Sequence, residues 1–297
     1  NCGPATLAMH LSYFGSDLSQ EDIRLALRPF ADDKNVSPEE LAAFARDQNF
    51  AARVLVNGNA DRLRLLLSQG LPVLIETWLE PEPHDGMGHY RLLTGYDDAA
   101  QEWIAYDSYV SAGLKRGAPY AGIRLPYAET AALWRVFNRT YLVIYPPAQE
   151  ALVSSLLAAD ADAAPMWAGA AAQAQAEIAQ QPEDAFAWFN LGSSLAALAR
   201  DAEAAAAFDQ ARVLGLPWRM LWYQHGPFPA YLAVGRGQEA LALANATLAT
   251  TQSVEELHYW QGQALLALGD AAAAQASFRR ALEINPHYQP AAAALQP

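Results

Sequence analysis

The sequence is poor in cysteine, in positive charge and in long hydrophobic runs. Its only cysteine among 297 residues is Cys2, which excludes an internal disulfide bond and a cysteine-based metal site. Nineteen Lys and Arg residues stand against 32 Asp and Glu residues, for a formal net charge of −13. This balance argues against nucleic acid as a partner, because phosphate binding requires clustered cations. No apolar run reaches about 18 residues, so the sequence predicts no membrane-spanning helix within these residues.

What the chain does contain is apolar and rich in alanine. Hydrophobic residues make up 53% and charged residues 17%, which indicates a globular protein and not a disordered one. A length of 297 residues predicts two domains. Helix and strand patterns occur before Pro146-Pro147, and only helical patterns occur after it. We therefore predict one domain over residues 1–146 and a second over residues 147–297.

The N-terminal stretch NCGPA places the single cysteine at the start of a helix, where Gly-Pro suits the entry. Gly15 is typical of a helix stop, and apolar side chains recur before it at helical spacing, at Leu7, Leu11 and Phe14. Unpaired amide groups and the positive end of the helix dipole favour a thiolate, so Cys2 is a candidate nucleophile. The alternative is a small buried hydrophobic residue, as many free cysteines are.

A thiolate nucleophile needs a general base and a group that orients the base. His10 lies on the same helix, about 12 Å along the axis from Cys2, which is too far. Three more histidines fall in the later helical region, at His225, His258 and His287. His89 opens an apolar run that is typical of a strand and is the predicted base. His84, in the loop before it, is the reserve candidate.

The orienting carboxylate comes from a predicted hairpin. The strand that begins at His89 turns at Asp97-Asp98-Ala99-Ala100 and returns over residues 102–107. Folding about that turn brings His89 near Asp107, and the period of two with odd numbering puts both side chains on roughly one face. Cys2, His89 and Asp107 then supply a thiolate, an imidazole and an orienting carboxylate. Glycine, proline and tyrosine residues after Asp107 predict an irregular loop over residues 108–122.

Three motifs carry a family resemblance: NCGPA before an amphipathic helix, then GMGHYRLLTGYDD, then WIAYDSY. In this order they resemble the papain-fold cysteine peptidases related to the bacteriocin-processing, double-glycine leader peptidases, over about residues 1–146. The resemblance implies a papain-like α+β fold, with Cys2 as nucleophile, His89 as base and Asp107 as orienting carboxylate. It also implies a bacterial protein with an extracytoplasmic or cell-surface location.

One feature departs from the family pattern. The family carries a Gln a few residues before its cysteine, where the side-chain amide helps to form the oxyanion hole. This sequence starts one residue before Cys2, and we expect a longer chain in which that Gln can precede Asn1. A glycine-rich nucleotide loop and a spanning helix are both absent from the sequence, so the transporter-linked form of the leader peptidases is not expected.

The second predicted domain carries an internal repeat. Large and small residues recur with one spacing at Trp188, Gly192, Leu195, Ala204, Phe208 and Ala211, and 70 positions on at Gly262, Leu265, Ala274, Phe278 and Ala281. The pattern resembles the tetratricopeptide repeat, a helix–turn–helix of about 34 residues. The clearest units lie at about 185–218, 221–252 and 255–288. An all-α solenoid of this kind binds a protein substrate or partner; the alternative is an array that only stabilises the first domain.

Two functional hypotheses remain open. The first is a cysteine peptidase or amide hydrolase that needs no cofactor or metal, uses a Cys–His–Asp triad through an acyl-enzyme, and recruits a protein through its repeats. Hydrolysis and acyl transfer to an amine are equally compatible with it. The second is a catalytically inactive papain-like scaffold that acts as a protein-interaction module. It predicts an ordinary thiol at Cys2.

Overall fold

The computed structural model describes residues 2–30, 32–109 and 120–296. They divide into two compact units: Asn1–Leu27 with Val36–Gly169, and Arg28–Asn35 with Ala170–Pro297. The domain boundary expected after residue 146 stays a prediction. Most of the irregular loop expected over residues 108–122 lies outside the described residues.

The first unit confirms the α+β class that the sequence predicts. Its helices are α1 (Cys2–Tyr13), α2 (Gln20–Leu27), α3 (Pro38–Asp47), α4 (Ala60–Ser68), α5 (Tyr127–Trp134) and α6 (Glu150–Leu157). Its strands are β1 (Ala51–Leu55), β2 (Val73–Leu79), β3 (Met87–Asp97), β4 (Glu102–Tyr106), β5 (Ile123–Pro126) and β6 (Tyr141–Tyr145). These strands pair antiparallel in the order β1-β6-β2-β3-β4-β5.

Local sequence signals set the ends of the first helices. Helix α1 stops before Gly15, which adopts a φ of 84° that glycine tolerates without strain. The Ser37 side chain accepts a hydrogen bond from the Glu40 backbone N–H, and the Glu40 carboxylate accepts one from the Ser37 N–H at 2.8 Å. This reciprocal cap and Pro38 at the first helical position begin α3 where the sequence indicates.

Helix α1 packs against the sheet through its apolar stripe and so positions its first turn. Leu7 and Leu11 are fully buried in one core cluster with sheet residues Leu74, Leu92, Leu142 and Ile144. Near the start of the helix, the Thr6 hydroxyl donates a hydrogen bond to the Tyr90 carbonyl at 3.2 Å. Burial of the stripe and this buried hydrogen bond hold the start of α1 beside the middle of β3.

The remaining described elements are helical. They are α7 (Ala163–Gln180), within which the division between the units falls, α8 (Ala185–Ala197), α9 (Asp201–Leu214), α10 (Met220–Tyr223), α11 (Pro227–Ala233), α12 (Gly237–Leu248), α13 (Glu255–Ala267), α14 (Ala271–Ile284) and α15 (Gln289–Ala294). The pairs α8–α9 and α13–α14 form the helical hairpins expected at about 185–218 and 255–288. The middle unit is less regular, because a short α10 precedes its pair α11–α12.

The first and third hairpins share one packing arrangement. A Cβ atom on Gly192 would lie 2.8 Å from the Phe208 ring, and one on Gly262 would lie 2.4 Å from the Phe278 ring. Both phenylalanine side chains are fully buried. Glycine on the first helix therefore makes room for an aromatic ring on the second, which lets the two backbones approach closely.

The second unit is discontinuous in sequence, because it includes Arg28–Asn35 from between α2 and α3. The Lys34 backbone N–H donates to the Ser253 carbonyl at 2.9 Å. The Asn35 side-chain amide donates to the Glu256 carboxylate at 2.7 Å. These hydrogen bonds attach the short segment to the start of α13.

Candidate active site

Cys2 is the first residue of α1 and is half-buried. Its thiol is hydrogen-bonded to the His89 side chain and to the Tyr90 backbone N–H. Burial alone raises the pKa of the thiol, but the hydrogen bond and charge of His89, with the Tyr90 N–H, outweigh it and lower the pKa to about 7. The thiolate is therefore well populated near neutral pH, as a nucleophile requires.

His89 lies on β3 and links the thiol to a carboxylate. Its Nε2–H donates to Asp107 Oδ1 at 2.9 Å, and both residues are buried. Because Nε2 is engaged by the carboxylate, Nδ1 is the nitrogen left for the thiol of Cys2. Burial by itself lowers the pKa of His89, but the hydrogen bonds and charges of Asp107 and Cys2 raise it above its ordinary value. The lowered pKa of Cys2 and the raised pKa of His89 both favour a thiolate beside an imidazolium.

Asp107 follows the last residue of β4, and its carboxylate is fully buried. Besides the His89 bond, it accepts hydrogen bonds from Arg91 Nε at 2.9 Å and from the Tyr109 backbone N–H at 2.8 Å. Burial alone raises the pKa of this carboxyl, but these hydrogen bonds and the charges of His89 and Arg91 hold it well below its usual range. The carboxylate is therefore ionised at neutral pH and oriented by three donors.

A β-bulge brings His89 and Asp107 onto one face. Next to the turn, Asp97 pairs with Glu102, and a regular ladder from there would place Asp107 opposite Leu92, on the face away from His89. The register shifts between Leu93 and Gly95. Beyond the shift, Leu92 pairs with Tyr106, so Asp107 shares the face of His89. Bulges are known to re-aim side chains in this way beside active sites.

Two other histidines, His10 and His84, lie in the first unit. His10 is fully buried, its Nε2 lies 3.1 Å from the Ile144 carbonyl, and burial lowers its pKa to about 4. It is a neutral core residue. His84 is exposed in the loop before β3, with a φ of 65°. The imidazole that hydrogen-bonds Cys2 is that of His89.

Sequence reasoning missed three polar residues beside the site. Arg91 and Thr77 lie in strands β3 and β2 and contact the Asp107–His89 pair. Glu76, also on β2, is buried, and its pKa lies well above the ordinary value because of burial and the nearby charges of Glu39 and Cys2. A signal was present: polar and charged residues interrupt the otherwise apolar strand runs that contain Glu76, Thr77 and Arg91.

A polar cavity in the first unit lies away from the Cys2–His89–Asp107 line. This cavity of about 540 Å³ opens between β1 and α6, and its polar lining includes Glu39, Arg46, Arg53, Tyr145 and Glu150.

Within the described ranges, no three side chains of His, Cys, Asp or Glu converge as metal ligands. Nor does any helix in those ranges combine the length and apolar character needed to cross a bilayer.

An α+β unit with a thiol, an imidazole and a carboxylate in one hydrogen-bonded line is the arrangement of a papain-like cysteine peptidase domain. Residues 1–139 match the model of the Peptidase_C39 like family, and residues 255–288 match the tetratricopeptide repeat model. The chain thus carries a C39-peptidase-like domain followed by a tetratricopeptide repeat, a module that supports protein–protein interaction. Both resemblances that the sequence motifs indicate are confirmed.

Solved structures give weaker likenesses. A crystal structure of MamA shares 15% identity, with a TM-score of 0.39, and the match covers 43% of this chain and 74% of MamA. A Bacillus anthracis protein described as a C39-like peptidase shares 17% identity, with a TM-score of 0.38, over 48% of this chain and 87% of that protein. Neither likeness decides the function, because both TM-scores are low. No curated protein matches the chain by sequence.

Proposed function

We propose that the first unit is a cysteine peptidase or amide hydrolase that works through an acyl-enzyme on Cys2. One observation carries this proposal: a continuous hydrogen-bonded line from the Cys2 thiol through His89 to Asp107, with a thiol pKa lowered to about 7. A free cysteine that served only as a small core residue would have a pKa raised by its burial. Here His89 and the Tyr90 backbone N–H together outweigh that effect.

In the first half of the reaction, the Cys2 thiolate attacks a peptide or amide carbonyl carbon. A C–S bond forms and the carbonyl oxygen becomes an oxyanion, which accepts a hydrogen bond from the Cys2 backbone N–H at the start of α1. The His89 imidazolium gives its proton to the leaving nitrogen, the C–N bond breaks and the amine departs. Asp107 stabilises the imidazolium and keeps its ring oriented.

In the second half, water attacks the thioester. His89, now neutral, takes a proton from the water as the new C–O bond forms. The tetrahedral intermediate collapses, the C–S bond breaks, and the acid leaves with the Cys2 thiolate and His89 imidazolium restored. An amine in place of water would give acyl transfer by the same steps.

The proposed role of the repeats is to hold a protein substrate or partner. Support comes from a groove of about 480 Å³ in the second unit, lined largely by polar side chains: Asn245, Gln252, His258, Gln261, Ser277 and Arg280. Gln261 connects two of them, donating to Asn245 at 2.8 Å and accepting from Ser277 at 2.9 Å. Amide and hydroxyl groups of this kind can pair with the backbone of an extended peptide.

The test of the proposed chemistry is the rate of alkylation of Cys2 as a function of pH, followed by intact mass. We expect the parent to titrate near pH 7, whereas His89→Ala should titrate near or above roughly 8.5, as an ordinary thiol does. His84→Ala is the matched control and should behave as the parent does. An inert Cys2, or equal profiles in the parent and His89→Ala, would overturn the assignment of the ion pair.

A second arm separates an enzyme from an inactive scaffold. A digest of denatured proteins is incubated with the parent and with Cys2→Ala, and newly formed termini are identified by mass spectrometry. Cleavage by the parent alone supports the hydrolase. An intact thiolate–imidazolium pair without any amide cleavage would favour the scaffold.

A further inference from the structure

Arg91 is a buried cation that the reaction steps leave without a role. It lies on β3, two residues after His89, so the two side chains share one face of the strand. Its Nε donates to Asp107 Oδ2 at 2.9 Å, and its Nη1 donates to the Thr77 hydroxyl at 2.6 Å. Only 5% of the residue is exposed. A buried guanidinium is costly unless its geometry is satisfied, as it is here.

Thr77, the second hydrogen-bond partner of Arg91, is itself hydrogen-bonded to His89. Thr77 pairs with His89 across β2 and β3, and its hydroxyl donates to the His89 carbonyl at 3.1 Å. The hydrogen bonds therefore form a closed ring, from the His89 side chain to Asp107, to Arg91, to Thr77 and back to the His89 backbone. Each member of such a ring restricts the rotation of its neighbours.

Arg91 and His89 hold opposite oxygens of one carboxylate. Oδ1 of Asp107 accepts from His89 and from the Tyr109 N–H, whereas Oδ2 accepts from Arg91. Asp107 lies just beyond the end of β4, where the strand ladder no longer fixes its backbone. From this geometry we infer that Arg91 is a positioning residue, which fixes the Asp107 carboxylate so that Oδ1 faces His89. This role rests on the proposed function of the triad.

A purely electrostatic role for Arg91 and a positioning role predict shifts of the Cys2 pH profile in opposite directions. A cation near the imidazole disfavours the imidazolium, so its removal would strengthen the ion pair and shift the Cys2 profile to lower pH. Loss of a positioning group would free the carboxylate, weaken its bond to His89 and shift the profile to higher pH. The direction of the shift therefore distinguishes the two roles.

The experiment measures Cys2 alkylation against pH in the parent, Arg91→Met, Arg91→Lys and Asp107→Asn. Lysine keeps the charge but cannot span Asp107 and Thr77 with the fixed fork of a guanidinium. We expect both Arg91 variants to shift the profile toward that of Asp107→Asn, with alkylation near pH 6 slowed by roughly tenfold, which corresponds to about one pKa unit. Arg53→Met is the control, since it removes an arginine from an ion pair on β1.

Thr77→Val and Thr77→Ser provide a milder pair in case Arg91→Met does not fold. Valine keeps the volume and removes the hydroxyl, so it should shift the profile in the same direction by about threefold, whereas serine should restore the parent profile. An unchanged profile, or a shift to lower pH, in the folded Arg91 variants would overturn the positioning role. If the parent itself titrates as a free thiol, the proposed function fails instead, and the two failures are distinguishable.

Discussion

The polar cluster around Asp107 and the helical hairpins of the repeats solve the problem of burial in different ways. In the first unit, His89, Arg91 and Asp107 are charged or polar groups that are 6% exposed or less. In the second unit, the first and third hairpins bury phenylalanine rings against glycine. Buried charges stabilise only when every partner is present, whereas apolar packing loses stability gradually as its fit worsens.

The two regions also differ in how far apart in sequence their partners lie. Gly192 and Phe208, and Gly262 and Phe278, are each separated by 16 positions within one hairpin. The polar cluster instead joins β2, β3 and the residues after β4, and its thiol comes from α1. Local spacing fixes the repeat packing, but the cluster depends on strand register. We therefore expect substitutions in the cluster to have the larger effects.

The largest expected effect is that of Asp107→Ala on stability. This change leaves the buried Arg91 without its carboxylate, and breaking a buried ion pair in this way costs about 3–5 kcal/mol in the free energy of unfolding. The measurement is denaturant unfolding at neutral pH. Asp98→Ala, in the turn of the same hairpin, breaks an exposed pair with Arg64 and should cost less than about 1 kcal/mol. Equal losses for the two variants would mean that the Asp107 cluster is not tightly buried in solution.

The difference between local contacts in the repeats and long-range contacts in the polar cluster also explains how far the sequence predicts each region. The cysteine at the helix start, the β3–β4 hairpin and the helical repeats all leave local patterns, and all three appear in the structure. The bulge at residues 93–95 leaves no such pattern. The even spacing used to place His89 and Asp107 on one face assumes a regular ladder, which would have separated them. Their contact is as expected, but the register shift is its cause.

Arg91 illustrates a second limit. Hydropathy patterns treat β3 as one apolar run, so a cation inside it looks like an irregularity. Its role depends on a carboxylate 16 residues later, brought opposite by the shifted register. A charged residue within a buried strand is a signal for a polar site, because burial of a lone charge is costly. The pattern alone does not show which partner satisfies it.

An intermediate effect is expected when the repeat packing is overfilled. Gly262→Ala places a Cβ atom 2.4 Å from the Phe278 ring, and overpacking of this kind costs about 1–3 kcal/mol in the free energy of unfolding. Gly237→Ala is the matched control, because its Cβ would meet atoms no closer than 3.4 Å. Thermal unfolding of both variants provides the measurement.

The middle repeat shows how the sequence can relieve such a clash. Phe228 stands there at the position of the glycines, and Ala244 at the position of the phenylalanines, and both are fully buried. The large and small residues have exchanged helices. Phe278→Leu should therefore recover part of the stability lost in Gly262→Ala. If the single variant proves as stable as Gly237→Ala, the glycine–phenylalanine contact does not limit the approach of the helices.

The smallest expected effect concerns how stability depends on pH, in which two buried histidines of the first unit differ. The pKa of His89 is raised, so its contribution to stability is present at low pH and is lost as the pH rises through the folded-state pKa. The contribution of His10 to stability changes with pH in the opposite direction. Its folded-state pKa is about 4 against an ordinary value of 6.5, so below pH 6.5 the unfolded chain binds a proton that the folded state excludes. Stability is therefore lost as the pH falls through this window.

His10→Gln should isolate this contribution, because an amide can still donate to the Ile144 carbonyl but does not titrate. Between about pH 7 and pH 5.5, the parent should lose about 1 kcal/mol more of its free energy of unfolding than the variant does. Denaturant unfolding at the two pH values gives the difference, and His84→Gln at the exposed loop serves as the control. Equal losses in the parent and His10→Gln would mean that the folded state admits the proton, so that burial in the α1–sheet core does not keep His10 neutral.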